Sequence, residues 1–130
     1  MGAKIIATGK ALPELNVTND ELSKLVETDD EWITSRTGIH SRRIAVDLTT
    51  LDLAQAACSP LFGLDAKANG VQISSFMHEV IDPESIDLIL FATITPDAIV
   101  PAMACNLREE LGCARSIAFD LNAACSGFIY

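Results

Sequence analysis

Short apolar runs and amphipathic stretches follow one another along the chain. Residues 86–95 are nearly all apolar and partly β-branched, which is typical of a strand buried on both faces of a mostly parallel sheet. Shorter apolar runs predict strands at residues 4–8, ending at Gly9, and at residues 116–121. The pattern therefore predicts three strands, of which the last two are buried.

Two copies of the capping-box pattern predict helix starts, because a hydroxyl and a carboxylate three residues later satisfy free backbone N–H groups. The pattern occurs at residues 18–21 and again at residues 28–31. The helix expected from Thr28 carries Trp32 and Arg36 and ends near Gly38, since glycine commonly terminates helices.

Three further helices are expected. Thr49 or Thr50 caps one that Pro60 interrupts. Residues 71–81 are interpreted as helical, and a proline and a glycine at the ends of residues 101–112 mark the start and stop of the last helix. Because strands and helices alternate, the sequence predicts an α/β layered domain.

Composition excludes several classes of protein. The chain has 130 residues, of which 49% are apolar and 21% charged, so it can bury a core and is not a disordered polymer. Nine Lys and Arg against eighteen Asp and Glu give a net charge of −9, which disfavours nucleic acid and anionic membranes as partners. An acidic body can still hold a local basic site for an anionic ligand.

Targeting and cysteine patterns predict a soluble, cytoplasmic protein. The first ten residues lack the apolar region of about 7–15 residues that a secretory signal needs. No apolar run approaches the roughly 18 residues of a membrane span. Four cysteines occur without a Cys-x-x-Cys spacing, so we expect reduced thiols and no metal site.

Cys125 is the residue that most suggests chemistry. The predicted strand 116–121 runs into small residues, then Cys125, and then an apolar segment that could start a helix. A thiol at such a strand-to-helix turn can attack acyl groups, and nearby N–H groups can bind the developing oxyanion. The competing interpretation is a small core residue, since free cysteine is among the most buried residue types.

Two motifs in the same order resemble β-ketoacyl-acyl-carrier-protein synthase III, a branch of the thiolase-like condensing enzymes. One is Asn-Ala-Ala-Cys-Ser-Gly-Phe at residues 122–128; the other is Thr-Asp-Asp-Glu-Trp-Ile-Thr-Ser-Arg-Thr-Gly-Ile at residues 28–39. The resemblance implies a thiolase-like α/β fold and an acyltransferase of fatty acid biosynthesis. Such an enzyme moves an acyl group from a coenzyme A thioester to a cysteine, then condenses it with malonyl-acyl carrier protein, releasing carbon dioxide.

The resemblance also assigns roles to individual residues. Cys125 matches the family's nucleophile, Trp32 and Arg36 match the pair that holds the adenine of coenzyme A, and Thr28 matches a nearby hydrogen-bonding position. From the residues alone, Trp32 is a partly buried surface aromatic and Arg36 a solvated charge. Coenzyme A enters as a substrate, and no separate cofactor is implied.

Val100 lies where the family has a loop that crosses a homodimer interface and forms a wall of the partner's acyl pocket. Its side chain is smaller than the Phe that well-known members carry there, so the resemblance implies a roomier pocket. For an acidic carrier protein, any docking patch would be a local basic cluster such as Arg36, Arg42 and Arg43, or would lie outside this chain.

Length is where the chain departs from the family, whose members are well over twice as long and have two similar halves. Residues 1–130 are therefore expected to form a partial N-terminal thiolase-like domain that ends just after the nucleophile, with the C-terminal half absent. Condensation needs a His and an Asn of that half. A fragment, one piece of a split enzyme and a non-catalytic interaction or dimerisation module all stay open. Residues 58–75 are expected to contain an insertion of unknown role.

Overall fold

The structure, a computed structural model, describes residues 2–130 and contains six strands and four α-helices. The strands are β1 (Ala7–Pro13), β2 (Asn16–Thr18), β3 (Ser41–Arg43), β4 (Val71–Met77), β5 (Leu88–Ala92) and β6 (Ile117–Leu121). The helices are α1 (Asn19–Leu22), α2 (Asp30–Thr37), α3 (Thr50–Cys58) and α4 (Met103–Leu111). Short 3₁₀ segments follow α3, precede β5 and follow β6 at Ser59–Phe62, Pro83–Ser85 and Ala124–Phe128.

The strands form three two-stranded sheets. β5 and β6 pair in parallel, as their apolar runs predict, with Leu88 opposite Ile117. The β1–β4 and β2–β3 pairs are antiparallel, so the expectation of a mostly parallel sheet is wrong for the described residues. The predicted α/β class with strands and helices in alternation is correct.

The core lies between α4, α3 and one face of the β5–β6 sheet. Its buried members come mainly from α4: Phe91, Met103, Ala104, Leu107, Leu111 and Cys113. Partly buried residues of α3 and of both strands, including Leu51, Ile89 and Ala118, pack against this cluster. Apolar positions recurring at helical spacing on α4 explain why that helix is the centre of the core.

Helix α2 begins one residue later than the capping-box pattern predicts. The N-cap is Asp29, whose carboxylate accepts a hydrogen bond from the Trp32 N–H at 2.6 Å. Asp29 precedes the helix in extended conformation, and aspartate is at least as good an N-cap as threonine. The capping box at Thr18 is confirmed, and Gly38 ends α2 as predicted. Of the two residues expected to cap α3, Thr49 is the N-cap, and it forms a capping box with Asp52 that was not expected from the sequence.

Residues 71–81 are not helical, which corrects the interpretation of that segment. Residues Val71–Met77 form β4, whose whole length pairs with β1, from Val71 opposite Pro13 to Met77 opposite Ala7. Most residues of β4 are exposed on both faces, so its sequence does not show the alternation of apolar and polar residues that marks a half-buried strand. Here the backbone pairing with a distant strand determines the conformation, and local sequence patterns do not reveal such pairing.

Gly9 lies inside strand β1 rather than at its end. The strand runs from Ala7 to Pro13, so the predicted strand at residues 4–8 overlaps only its start. A Cβ at Gly9 would lie 2.1 Å from the backbone oxygen of Ala57 in α3. Glycine is therefore required for the close approach of β1 to α3.

Two aspartates fix the loop that connects β5 to α4. Asp97 accepts hydrogen bonds from the N–H groups of Thr50 and Leu51 at the start of α3, at 2.8 and 2.9 Å. Asp120 of β6 accepts from the N–H groups of Met103 and Ala104 at the start of α4, both at 2.8 Å. The residue before α4, Ala102, offers no side-chain cap, so Asp120 takes that place from a neighbouring strand.

Candidate functional site

A pocket lies beside α1 and α2, at the predicted nucleotide site. Its volume is about 610 Å³. The lining combines apolar side chains with a few charged ones and consists of Leu22, Val26, Glu27, Thr28, Asp29, Trp32, Ile33, Thr37, Ile39 and Arg42. Thr28 and Trp32, predicted from the sequence, therefore share one cavity, whereas Arg36 is not part of its lining.

Trp32 and Arg36 stack directly on each other. The indole is 52% exposed, and the guanidinium carbon of Arg36 lies 4.5 Å from the ring centroid, within cation–π range. Arg36 Nη1 also donates to the backbone oxygen of Trp32 at 3.2 Å. A base inserted between the two groups would need about 7 Å, twice the usual contact spacing, so Arg36 must swing outward before a base can be sandwiched.

A polar network anchors the inner wall of this pocket. Asn19, which is 1% exposed, donates through Nδ2 to Asp30 Oδ1 and to the backbone oxygen of Ile39, both at 2.7 Å. Its Oδ1 accepts a hydrogen bond from Arg42 Nη2 at 2.6 Å. Hydrogen bonds from Asn19 and Thr34 lower the pKa of Asp30, so its carboxylate is ionised at neutral pH.

The predicted basic docking cluster is not an exposed patch. Arg42 is half-buried in the network just described. Arg43 is also half-buried, and its Nη1 donates to the backbone oxygens of Pro13 and Glu14 at 3.1 and 3.0 Å. Only Arg36 of the three is exposed, because the other two tie separate chain segments together.

Cys125 lies at the turn expected from the sequence. It follows β6 and belongs to the 3₁₀ segment Ala124–Phe128, with Ala124 at φ 45°, a conformation that non-glycine residues rarely adopt. The thiol is exposed, so the interpretation of Cys125 as a core residue does not describe its position. A Cβ at Gly127 would lie 3.2 Å from the Cβ of Ala92, which shows how closely this segment approaches β5.

The other cysteines differ from Cys125 in exposure. Cys113 is buried, and Cys58 and Cys105 are partly buried. Burial raises the pKa of the Cys58 thiol, with a further contribution from nearby Cys113, and burial likewise raises the pKa of Cys113. A raised pKa keeps the thiols of Cys58 and Cys113 protonated and less reactive. Cys125 is the only exposed cysteine among residues 2–130.

Val100 lies in the segment between β5 and α4, three residues before the helix, and its side chain is 82% exposed. Neither Val100 nor Cys125 lines the Trp32 pocket. The structure therefore places Cys125 and Val100 outside the pocket that Thr28 and Trp32 share.

Sequence reasoning missed the contributions of Asn19, Asp97 and Asp120. Each joins segments that are far apart in the chain, and a polar residue outside a recognisable motif gives no signal of such a role. Among residues 2–130 no group of three or more potential metal ligands comes together. In the same range no helix is long and apolar enough to cross a membrane.

Comparison with known proteins gives consistent relatives, although no family model matches the chain. The β-ketoacyl-[acyl-carrier-protein] synthase III of Clostridium acetobutylicum is 45% identical over 127 residues, which is 98% of this chain and 35% of that protein. The enzyme of the same name from Geobacillus kaustophilus is 43% identical over 134 residues, covering 100% of this chain and 38% of the relative. The chain thus spans little more than a third of the length of these curated relatives.

Solved structures give the same result. The 3-oxoacyl-[acyl-carrier-protein] synthase III from Aquifex aeolicus VF5 superposes with a TM-score of 0.78 at 43% identity, over 99% of this chain and 37% of that one. The priming β-ketosynthase of the R1128 polyketide pathway superposes with a TM-score of 0.69 at 30% identity, over 98% of this chain and 37% of that one. The predicted incomplete thiolase-like fold is confirmed, and over nearly its whole length the chain corresponds to the N-terminal part of a β-ketoacyl-[acyl-carrier-protein] synthase III-type enzyme.

Proposed function

We propose that this chain carries the acyl-accepting cysteine of a condensing enzyme. In this reaction the Cys125 thiolate attacks the carbonyl carbon of an acyl-coenzyme A thioester, the carbon–sulfur bond to coenzyme A breaks, and coenzyme A leaves as its thiol after taking a proton. The observation that carries the proposal is the exposed thiol of Cys125 at the turn after the parallel β5–β6 pair. No metal or further cofactor takes part.

The nucleotide end of coenzyme A is proposed to bind in the Trp32 pocket. The half-exposed indole offers a face for adenine, and Thr28, which lines the same pocket, offers a hydroxyl for a hydrogen bond. Arg36 is proposed to move from its position on the indole and to cover the bound base from the other side. Its exposure leaves it free to do so.

The second half of the reaction is proposed for the longer protein of which these 130 residues represent a part. There the acyl group on Cys125 condenses with malonyl-acyl carrier protein, with loss of carbon dioxide, in fatty acid biosynthesis. We propose a cytoplasmic homodimer in which Val100 forms a wall of the partner's acyl pocket. Residues 1–130 alone are not expected to perform the condensation.

Acyl transfer is tested by incubating the chain with acetyl-coenzyme A and measuring the intact mass and the site of labelling. One acetyl group is expected on Cys125 and none on the Cys125→Ala variant. Cys105→Ala is the matched control, because it removes a partly buried thiol and should leave the labelling unchanged. Labelling that persists in Cys125→Ala would contradict the proposal.

A non-catalytic interaction module is the second candidate. It is favoured by the exposed apolar residues on the outer face of the β5–β6 sheet, namely Leu88, Leu90, Ile117 and Phe119. This candidate predicts that the chain forms a stable complex with another protein and that the Cys125→Ala variant forms the same complex. Affinity purification with wild-type chain and the Cys125→Ala variant, combined with the acetylation assay, separates the two candidates.

A further inference from the structure

We propose that the free edge of strand β4 pairs in antiparallel orientation with the β4 strand of a second copy of this chain. The inference is independent of the proposed acyl transfer, because no residue of β4 lines the Trp32 pocket and Cys125 takes no part in the pairing. Three observations carry it: the direction of the free backbone groups, the lack of charge on the strand and the exposure of an aromatic side chain.

Strand β4 has a partner on one edge. The sheet that it forms with β1 is two-stranded, so among residues 2–130 no strand pairs with its other edge. Such an edge presents a row of backbone N–H and C=O groups that can pair with another strand. A two-stranded ribbon is also only marginally stable by itself in water, and further strands stabilise it.

The register with β1 shows which residues of β4 direct their backbone groups to the free edge. The Glu14 N–H donates to the Gly70 oxygen at 3.0 Å, and antiparallel strands alternate between hydrogen-bonded and non-hydrogen-bonded pairs. Pro13, which has no N–H to donate, lies opposite Val71, in agreement with this alternation. The even-numbered residues of β4 therefore bond to β1. The outward-facing residues are the odd-numbered ones: Val71, Ile73, Ser75 and Met77.

Two copies of β4 match each other in one antiparallel register. A two-fold axis at Ser74 places Val71 opposite Met77 of the second copy and Ile73 opposite its Ser75. All four outward-facing residues then form hydrogen-bonded pairs, which give about eight hydrogen bonds at two per pair. A register shifted by two residues would leave outward-facing groups without a partner at the strand ends. The result is a continuous four-stranded antiparallel sheet with β1 at each outer position.

The composition of β4 favours a second copy as the partner. Edge strands are usually protected from pairing by charged residues, proline or a bulge. Residues Val71–Met77 contain no charge and no proline, and their pairing with β1 is continuous. Because the chain carries a net charge of −9, an uncharged edge is where two copies approach with little repulsion. A basic partner would find no carboxylate in this strand.

Phe76 adds a side-chain contact to the backbone pairing. Its ring is 62% exposed and packs edge-on against the ring of His78, with 5.3 Å between the centroids. In the proposed register Phe76 lies opposite Gln72 of the second copy, whose side chain accepts a hydrogen bond from Arg43 Nη2 at 3.4 Å. The exposed ring would therefore lie beside a guanidinium, a favourable combination. The two-fold axis repeats this contact on both copies.

Disulfide trapping tests the register. Ser74→Cys is made in a Cys125→Ala background, which removes the exposed native thiol. The two Ser74 residues meet at the axis as a non-hydrogen-bonded pair with Cα atoms about 4.5 Å apart, within disulfide range. Oxidised glutathione, which takes up two electrons on reduction to its thiol, should therefore convert most of this variant to a covalent dimer on a non-reducing gel.

Ser75→Cys in the same background is the matched control, because Ser75 is an equally exposed neighbour of the same type. In the proposed register the two copies of residue 75 lie on a diagonal about 7–8 Å apart, too far for a disulfide. This variant should stay mostly monomeric. Equal trapping at the two positions, or no trapping at residue 74, would overturn the inference.

Ser75→Pro tests the pairing without a cross-link. It removes an N–H that faces the free edge and takes no part in the pairing with β1, and Pro13 shows that this sheet accommodates proline at such a position. Ser75→Ala keeps the N–H and is the control. Both are made in an Ile117→Glu background, which interrupts the exposed apolar face of the β5–β6 sheet as a second contact.

Sedimentation velocity should show dimers of Ser75→Ala and a dimerisation constant at least about tenfold weaker for Ser75→Pro, since each dimer loses two hydrogen bonds. Circular dichroism confirms that both variants keep the fold. Equal dimerisation of the two variants would overturn the inference, and so would a monomeric Ser75→Ala whose β4 amides are protected from hydrogen exchange only when a different protein is added. Acetylation of Cys125 in the wild-type chain tests the proposed function separately.

Discussion

Thr28 and Asp29 are neighbours with different roles in the structure, and the sequence pattern does not distinguish between them. The capping-box rule favours Thr28 as the N-cap because Glu31 follows three residues later. In the structure Asp29 caps the helix, which leaves the Thr28 side chain free to line the Trp32 pocket. A shift of one residue in the cap thus turns a predicted structural residue into a candidate ligand contact.

Asp29→Ala should lower the free energy of unfolding by about 1 kcal/mol, because helix α2 loses the acceptor for the Trp32 N–H. Urea denaturation measures this loss. Thr28→Ala is the matched control and should leave the unfolding midpoint unchanged while weakening nucleotide binding. Equal destabilisation by the two variants would show that Thr28 contributes to the cap.

Trp32→Ala should weaken adenosine binding about tenfold, since stacking a base on an aromatic side chain contributes about 1–3 kcal/mol. Trp32→Phe keeps an aromatic face and should retain most of the affinity. Calorimetry or fluorescence anisotropy with a labelled adenosine ligand measures the effect. If phenylalanine and alanine weaken binding equally, stacking is not the source of affinity.

At the level of elements, the sequence predicts those that local patterns determine. The capping box at Thr18, the cap at Thr49 and the strands β5 and β6 depend on neighbouring residues or on continuous apolar runs, and they are found close to their predicted positions. Strand β4 depends on pairing with β1 more than fifty residues earlier in the chain, and its exposed side chains carry no periodic signal. Long-range pairing therefore limits what the sequence alone predicts.

The candidate site follows the same division. Cys125 and Trp32 belong to contiguous motifs, so the sequence identifies them and their local turn or helix. Arg42 reaches its position through Asn19, 23 residues earlier, and no spacing rule relates the two. The position of Arg36 on the indole also depends on side-chain rotamers, which a sequence does not specify.

Gly9→Ala should destabilise the contact between β1 and α3, because the new Cβ would lie 2.1 Å from the Ala57 oxygen. Overpacking of this kind costs about 1–3 kcal/mol, since the strand or the helix must shift. Thermal unfolding followed by circular dichroism measures the loss. Gly2→Ala is the control, because no atom lies within 4 Å of the added group. An unchanged melting temperature for Gly9→Ala would contradict the packing described here.

Asp97→Asn should make stability less dependent on acid pH. Partial burial disfavours the charged carboxylate of Asp97, but hydrogen bonds from the Leu51 and Thr50 N–H groups outweigh this effect and lower its pKa. A lowered pKa in the folded state stabilises the fold above the unfolded pKa, near pH 4, and this stabilisation is lost as the pH falls through the folded value.

Wild type should therefore be more stable than Asp97→Asn at pH 7, and the difference should shrink steadily below pH 4. Urea denaturation at a series of pH values measures it. A difference that stays constant from pH 7 to pH 2 would show that the charge of Asp97 does not contribute.

At the scale of the whole molecule, the buried core is small for the number of apolar residues in the chain. Half of the chain is apolar by composition, yet the main buried cluster contains six residues. One face of the β5–β6 sheet carries Ile89 and Phe91 toward α3 and α4, while Leu90 and Phe119 on the opposite face are exposed. Such a two-sided apolar sheet is typical of a layer covered on both sides.

The uncovered face predicts association of the chain in solution. Ile117→Glu should shift the sedimentation coefficient toward that of a monomer at concentrations where wild type associates, because the charge interrupts the apolar face. Leu25→Glu, on an exposed turn away from the sheet, is the control and should behave as wild type. Indistinguishable sedimentation of the Ile117→Glu variant and wild type would exclude this face as the contact.

Asp120 couples the position of strand β6 to that of the start of helix α4. Its carboxylate holds the first residues of α4, three positions after Val100, while its backbone belongs to the strand that leads to Cys125 five positions later. A displacement of β6 along its axis would therefore move Cys125, the proposed nucleophile, and the residues before α4 together. In the proposed enzyme, a substitution that shifts one of these positions to suit a different acyl chain would shift the other as well, which would restrict the routes by which substrate preference evolves in this scaffold.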